Sequence, residues 1–289
     1  MYEFRQQGKD VRRTEATPDG AEDAPMTLMS ALLREAGFAH AFFTRHGGVS
    51  APPWDSLSFA TSTGDDPAAV RENIARAARA LGLPAEARIY VVSQVHGTAA
   101  RAVIGDEPWD EVARSEADVI LTRGSEDRAR RVAVGVRSAD CVPVLLADRQ
   151  SGAVAAIHSG WRGTAANAAQ AGVSALRALV GGEGELIAAI GPHIEGCCFE
   201  VGPDVAEALA RASRAGATAV LPGARPRVDL RRIVRAQLEA EGLSPAAIDD
   251  VRGCSVCARE PDAAPRFHSF RRDGARSGRM LSAIVPALT

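Results

Sequence analysis

Three residues of this chain combine reactive side chains with settings that suit chemistry: His96, Cys141 and His158. Cys141 and His158 bracket two apolar runs in SADCVPVLLADRQSGAVAAIHSGWRGT, and His96 closes a third in SQVHG. One thiolate and two imidazoles are donors suited to zinc, and three protein ligands leave a fourth position open for water or substrate. Cys141 and His158 alone would also serve as a nucleophile and its base. The bland alternative is a buried thiol beside two hydrogen-bonded structural histidines. The long spacings, unlike the close ligand pairs of a zinc finger, do not choose among the three.

Other residues could support a site. Arg45, Arg162, Arg271 and Arg272 fall in turns flanked by Gly, Ser or aromatic residues. A guanidinium there suits bidentate capture of phosphate or carboxylate, and equally suits tying a loop to its carbonyls. His193 stands at another strand end, Trp161 reads as packed structure, and Glu200 as a loop anchor or a polar site group. Cys254 and Cys257 have the spacing of half a structural zinc site, but Cys197 and Cys198 are adjacent and make a geometrically poor second pair. The expectation is two ordinary cysteines near the surface. The Gly-rich run at 181–184 lacks the Lys-Ser/Thr of a phosphate loop and sits at a helix end.

The elements that must position these groups follow from periodicity and punctuation. Strands are predicted over 39–44, 88–93, 117–122, 131–136, 186–190 and 281–285. Residues 142–147 and 153–158 are two apolar runs joined by Asp148-Arg149-Gln150-Ser151-Gly152, a hairpin signal. A short helix is expected over 26–36. Asp66 and Pro67 look like the N-cap and first position of another, which Gly82 stops. Thr164 is expected to cap a helix to Val180; Gly202-Pro203 opens one to about 215, and Asp229 caps one to Glu241. The stretch APPWDSLSFATSTGDD is too rich in Pro, Ser, Thr and Asp for a core element and reads as a surface loop able to carry function. Strands outnumber helices and hairpins mix with crossovers, which predicts an α+β fold with mixed sheets.

Bulk properties narrow the function. The chain has 289 residues, 46% apolar and 24% charged, ordinary values for a globular protein with a sizeable core. A net charge of −2 gives no footprint for a polyanion, so a general nucleic-acid binder is disfavoured. No apolar run approaches a membrane span, and the polar first 25 residues have no signal-peptide core, so a cytoplasmic protein is expected. Those residues read as a disordered arm ahead of one domain over 26–289. Five cysteines, an odd count, suit thiols, ligands or nucleophiles better than a disulfide framework.

SQVHG, ADCVPVLL, HSGWRGT, IGPHIEGCCFEVG and FHSFRRDGARSGR occur here in the order in which similar motifs recur in the laccase-domain family. Its bacterial members are named polyphenol oxidase, purine nucleoside phosphorylase or peptidoglycan editing factor. FTRHGGVS and SLSFATSTGDDPAAVREN also resemble its N-terminal motifs, so the likeness runs from Gly37 to the end. The resemblance implies that His96, Cys141 and His158 ligate one metal, zinc as a rule and copper as the alternative. It implies a four-layer α/β/β/α sandwich similar to toxin-like cysteine hydrolases. It also implies phosphorolysis of adenosine, inosine and methylthioadenosine and deamination of adenosine, with small-molecule substrates and a monomer or small homo-oligomer. Ser62 stands where many members have His; we expect it to contact the nucleoside, with Arg45, Arg271 and Arg162 holding phosphate.

Zinc has no redox chemistry, and six histidines are too few for the several coppers of a laccase. Zinc can lower the pKa of a bound water towards about 7. The alternatives are a hydrolase that removes misincorporated serine from a peptidoglycan precursor, a copper polyphenol oxidase, and a metal-free Cys–His hydrolase.

Overall fold

The computed structural model describes residues 24–123 and 132–287. All but the last two residues of the expected N-terminal arm, and Arg131 of the expected strand at 131–136, lie outside them.

Two mixed sheets carry the chain. The first has five strands in the order β1 (Thr27–Leu28), β2 (His40–Phe43), β13 (Met280–Ile284), β6 (Ala133–Ser138) and β3 (Ile89–Tyr90). The second has six: β12 (Ile248–Asp250), β9 (Leu186–Ile190), β7 (Val142–Asp148), β8 (Val154–Ser159), β5 (Val119–Thr122) and β4 (Ala100–Ala102). A small hairpin, β10 (Val220–Leu221) and β11 (Arg227–Val228), stands apart. Pairs β3–β6, β4–β5 and β9–β12 are parallel, the other pairs antiparallel. The helices are α1 (Ala31–Glu35), α2 (Pro67–Ala80), α3 (Trp109–Arg114), α4 (Trp161–Ala165), α5 (Ala168–Val180), α6 (Pro203–Ala210), α7 (Gly216–Ala219), α8 (Leu230–Ala240) and α9 (Phe270–Asp273).

The hairpin β7–β8 lies at the centre because both of its faces are apolar. Side chains alternate across a strand: Val142, Val144 and Leu146 enter one hydrophobic cluster, while Leu145 and Ala147 enter another. Ala155 and Ile157 against Val154 and Ala156 do the same on β8. The first cluster fills the seam between this sheet and α5 and α8, through Val173, Leu176, Ile233 and Val234. The second joins the two sheets, meeting Phe42, Val134, Val136 and Ile284 of the five-stranded one. A third covers that sheet's other face, where Phe43, Ala133 and Leu281 meet Ala77 and Ala78 of α2. Each fully buried Leu, Ile or Phe contributes on the order of 2 kcal/mol. Helix α5 approaches β8 so closely that a side chain at Gly172 would overlap Ile157.

Several element ends follow the expected capping chemistry. Asp66 accepts from Ala68 N ahead of Pro67, and Asp229 accepts from Arg232 N at the start of α8. Two helices differ from expectation. The one expected over 26–36 covers only Ala31–Glu35, because Thr27 and Leu28 pair with β2 and Ser30 caps the helix by accepting from Leu33 N. The chain turns helical at Trp161 rather than after Thr164 and breaks at Asn167, whose φ of 68° lies in the left-handed region. The Thr164 hydroxyl bonds Ser159 instead of capping. The short α3, β4 and β12 lack a clear apolar period and were legible only in the fold.

Candidate active site

His96 sits in a turn held by one carboxylate. The backbone N–H groups of Val95, His96 and Gly97 all donate to Asp118, at 3.2, 3.0 and 2.6 Å. Such a nest of successive N–H groups needs a left-handed residue, and His96 supplies it with φ of 63°. The Gln94 amide docks the same turn on β6, donating to Arg137 O and accepting from Arg137 N.

Asp118 is fully buried and also accepts from His158 Nδ1 at 2.7 Å. That bond fixes the tautomer of His158 and leaves its Nε2 lone pair for the other side of the ring. The two imidazoles lie edge to face, 4.9 Å between centroids. Cys141 opens β7, its Sγ 3.8 Å from His96 Nε2. Its neighbour Asp140 (φ 90°) is clamped by three loops, accepting from Ser255 Oγ, Arg271 N and Ile194 N. Gly160 completes the cradle: a Cβ there would lie 2.7 Å from His96 Cδ2 and 2.9 Å from Cys141 Sγ.

The three ligand atoms lie within 4.8 Å of one another. Zn–N bonds near 2.0 Å and a Zn–S bond near 2.3 Å span such separations after a small contraction. The donor set therefore fits one tetrahedral ion with a fourth position open. Burial disfavours the Cys141 thiolate, but His158 and His96 outweigh it and lower the thiol to about 6. Burial likewise opposes the His158 imidazolium, which Cys141 and Asp118 nevertheless favour, raising its pKa. The Asp118 carboxyl loses water yet falls below its usual range, because His158 and the turn N–H groups hold its anion.

The centre opens into a cavity of about 810 Å³, within the range of small-molecule sites. Ser62, Arg162 and Arg271 belong to its wall, and so does Trp161, which the sequence suggests to be packed structure. Arg162 stacks over Trp161 at 4.5 Å. The Arg271 guanidinium already donates to Cys198 O and Glu200 O. Arg45 is not in this wall: it is buried and bound to Asp55, through a 3.0 Å ion pair and a bond to the Asp55 carbonyl. Arg272 ties loops, donating to the carbonyls of Ser255, Val256 and Phe267.

Three groups escaped the sequence reading. Asp118 is one; an acid beside the apolar strand VILT was its signal. Arg137 and Arg279 are the others, half-buried in the cavity wall. Burial lowers the pKa of both, and the charge of Arg279 adds to the effect on Arg137, so the two cations face one space. Nothing local in the sequence sets them apart from the other arginines.

The four remaining histidines are spent elsewhere. His40 accepts from Ser30 N, and His46 bonds the Pro265 carbonyl. His193 donates to Gly191 O, and His268 bonds Leu57 O. The centre thus has two imidazoles and one thiolate, not the histidine-rich set that several coppers require. Cys254 and Cys257 also depart from expectation. They are not a stray pair, because Cys197 and Cys198 lie against them with all four sulfurs within 4.8 Å. Adjacent side chains diverge in extended chain, but here Glu195 O accepts from both Cys198 N and Phe199 N in a tight turn, and the sulfurs converge.

The family described as Multi-copper polyphenol oxidoreductase laccase matches residues 39–287. The chain belongs to this family. It is 39% identical over 236 residues to Purine nucleoside phosphorylase SCO2081 of Streptomyces coelicolor, covering 81% of this chain and 90% of that protein. It is 38% identical over 259 residues to a purine nucleoside phosphorylase of Deinococcus radiodurans, covering 88% and 92%. The crystal structure of Bacillus licheniformis hypothetical protein YfiH superposes with a TM-score of 0.80 at 26% identity, covering 92% of this chain and 98% of that one. No described helix is long and apolar enough to cross a membrane.

Proposed function

We propose that this protein cleaves purine nucleosides by phosphorolysis, in the cavity where His96, Cys141 and His158 meet Arg137 and Arg279. The observation that carries the reading is that juxtaposition: a three-donor centre and two partly desolvated guanidinium groups share one 810 Å³ space. The names of the relatives support the substrate class. Adenosine, inosine and methylthioadenosine are the substrates to compare, and deamination of adenosine is a second reaction assigned to the same centre.

In phosphorolysis a phosphate oxygen bonds to C1′ of the ribose while the C1′–N9 bond breaks, and the purine leaves with that electron pair and takes up a proton. Arg137 and Arg279 hold the phosphate, because guanidinium forks match its oxygens and their burial strengthens the attraction. Arg162 and Arg271 line the same cavity and add to its positive charge. Trp109, Trp161 and Phe270 line the cavity and supply apolar surface for the base, with Arg162 over Trp161 and Arg279 over Phe270, and Ser62 supplies a hydroxyl to the nucleoside. Asp118 holds the Nδ1 proton of His158 and the 95–97 turn, so that both imidazoles keep one geometry. Zinc at His96, Cys141 and His158 would supply Lewis acidity when bound. The fourth position left by these donors suits that role better than a structural one.

Inosine or adenosine incubated with enzyme and phosphate should yield free base and ribose 1-phosphate by mass spectrometry, with loss of turnover in His96→Ala and Cys141→Ala. The absence of base release from any nucleoside at high enzyme loading sinks the reading. A muramoyl-serine substrate belongs in the same assay, because its hydrolysis would redirect the site to peptidoglycan-precursor editing.

One observation favours a second reading. Cys141, His158 and Asp118 also form a thiol–imidazole–carboxylate series, the arrangement of a metal-free cysteine hydrolase. Activity that resists chelators but is lost on alkylation of Cys141 distinguishes it.

A further inference from the structure

We propose that Cys197, Cys198, Cys254 and Cys257 bind a second, structural zinc ion that staples two turns together beside the cavity. The fold itself brings these residues to one place. Strands β9 and β12 are parallel neighbours, with Ala188 opposite Ile248, so the segments that follow them leave the sheet side by side. They stay paired past the strands: His193 N donates to Gly253 O, and Ser255 N donates to His193 O. The first segment then turns at 195–199 and delivers Cys197 and Cys198. The second turns at 254–258, where Ala258 N donates to Cys254 O, and delivers Cys254 and Cys257.

The sulfurs are spaced for one ion. A tetrahedral zinc with Zn–S bonds of about 2.3 Å sets its sulfurs about 3.8 Å apart. Here Cys197 and Cys257 are 3.6 Å apart, and all four sulfurs lie within 4.8 Å of one another. A contraction of an ångström or less closes the site. A disulfide would need sulfurs at about 2 Å, and no pair of these four is joined. Four thiolates without another ligand type select a thiophilic tetrahedral ion, and a closed set of four is the structural form of zinc coordination. Binding displaces the thiol protons to water, and the ion neutralises thiolates that would otherwise repel one another.

The cluster also has something to hold. The Cys198 carbonyl accepts from Arg271, whose ring partner Phe199 follows directly in the chain. Ile194, Phe199 and Arg271 all belong to the cavity wall. Fixing the two turns therefore fixes that side of the cavity. The ion at this cluster is separate from the one at His96, Cys141 and His158, because the two sets share no ligand.

Metal analysis of the full chain, purified with zinc in the medium, tests this. Cys257→Ser should hold one equivalent of zinc less than the unsubstituted protein, whatever the occupancy of the His96 centre. Equal zinc content in the two overturns the proposal. Should Cys257→Ser prove insoluble, cobalt-loaded Cys141→Ala carries the test, since it leaves the four-thiol cluster as the sulfur site. It should show the intense thiolate-to-cobalt absorption of a tetrathiolate. A spectrum without it, or a disulfide among these cysteines in protein prepared without reductant, defeats the idea. Neither result depends on nucleoside turnover, so the phosphorolysis reading stands or falls separately.

Discussion

Two groups of donors in this molecule differ in how they are built. His96 comes from a turn beyond β3, Cys141 from the start of β7 and His158 from the end of β8, and the three converge in the wall of a cavity with the buried Asp118 behind them. Cys197, Cys198, Cys254 and Cys257 come from two turns beside one parallel strand pair, and Cys197 and Cys257 are exposed. The first has three donors, a buried carboxylate behind them and a cavity of about 810 Å³ in front; the second has four thiols and no donor of another type. An open set invests its structure in orientation and access, whereas a closed set invests it in joining two pieces of chain.

The sharpest way to separate them is Gly160→Ala. Its methyl would sit within van der Waals contact of both His96 and Cys141, and displacing them by about 1 Å is expected to cost at least about 100-fold in phosphorolysis. Metal content should drop at the open centre and not at the cysteine cluster; loss of both ions would show that the two are coupled.

Asp118→Asn should come next. It removes the anion that accepts from His158 and the turn, and is expected to weaken metal binding at the open centre about 10- to 100-fold. Zinc titration against a chelator measures this, and an unchanged affinity would deny Asp118 its supporting role. Arg279→Gln should leave both metal sites filled and raise KM for phosphate roughly tenfold, with little change in the KM for nucleoside. An equal rise for both substrates would place Arg279 outside phosphate binding.

The smallest effect concerns stability in acid. His268 is fully buried, and its pKa is lowered to about 3 by burial first, then by Arg45, Arg272 and Arg279. Unfolded, it takes up a proton near pH 6.5; folded, it does not until about 3, so the unfolded state gains protons as pH falls. Its contribution is therefore complete above pH 6.5 and is lost through the window down to about 3. At pH 4.5 the loss is on the order of 2 kcal/mol. The ring packs against Gly278, where no side chain would fit. His268→Phe should flatten the fall in Tm between pH 6.5 and 4.5 without touching the metal content of either cluster. A slope as steep as before would move the acid sensitivity to other groups.

Much of the fold was legible in the chain. The hairpin of β7 and β8 followed from two apolar runs around a Gly-containing turn, and α2 and α8 from Asp caps ahead of their apolar periods. Short elements such as β12 were not, because three residues carry no period of their own. The open centre was half legible. Cys141 and His158 stood out by type and setting, and His96 by the turn that followed its strand. The arginines were not: Arg45 stood out by its turn and Arg279 did not, yet the first pairs with Asp55 and the second faces the cavity.

The sequence alone determined which residues carry reactive donors and which stretches must be buried, because side-chain chemistry and apolar period are local properties. It also determined the family, through motifs in a fixed order. Only the tertiary structure decided that Asp118 stands behind His158, that Arg137 and Arg279 share one space, and that two pairs of cysteines far apart in the chain form one cluster. Those are relations between strand neighbours. The pairing of β9 with β12 sets the cysteine cluster, and no residue in either segment records it.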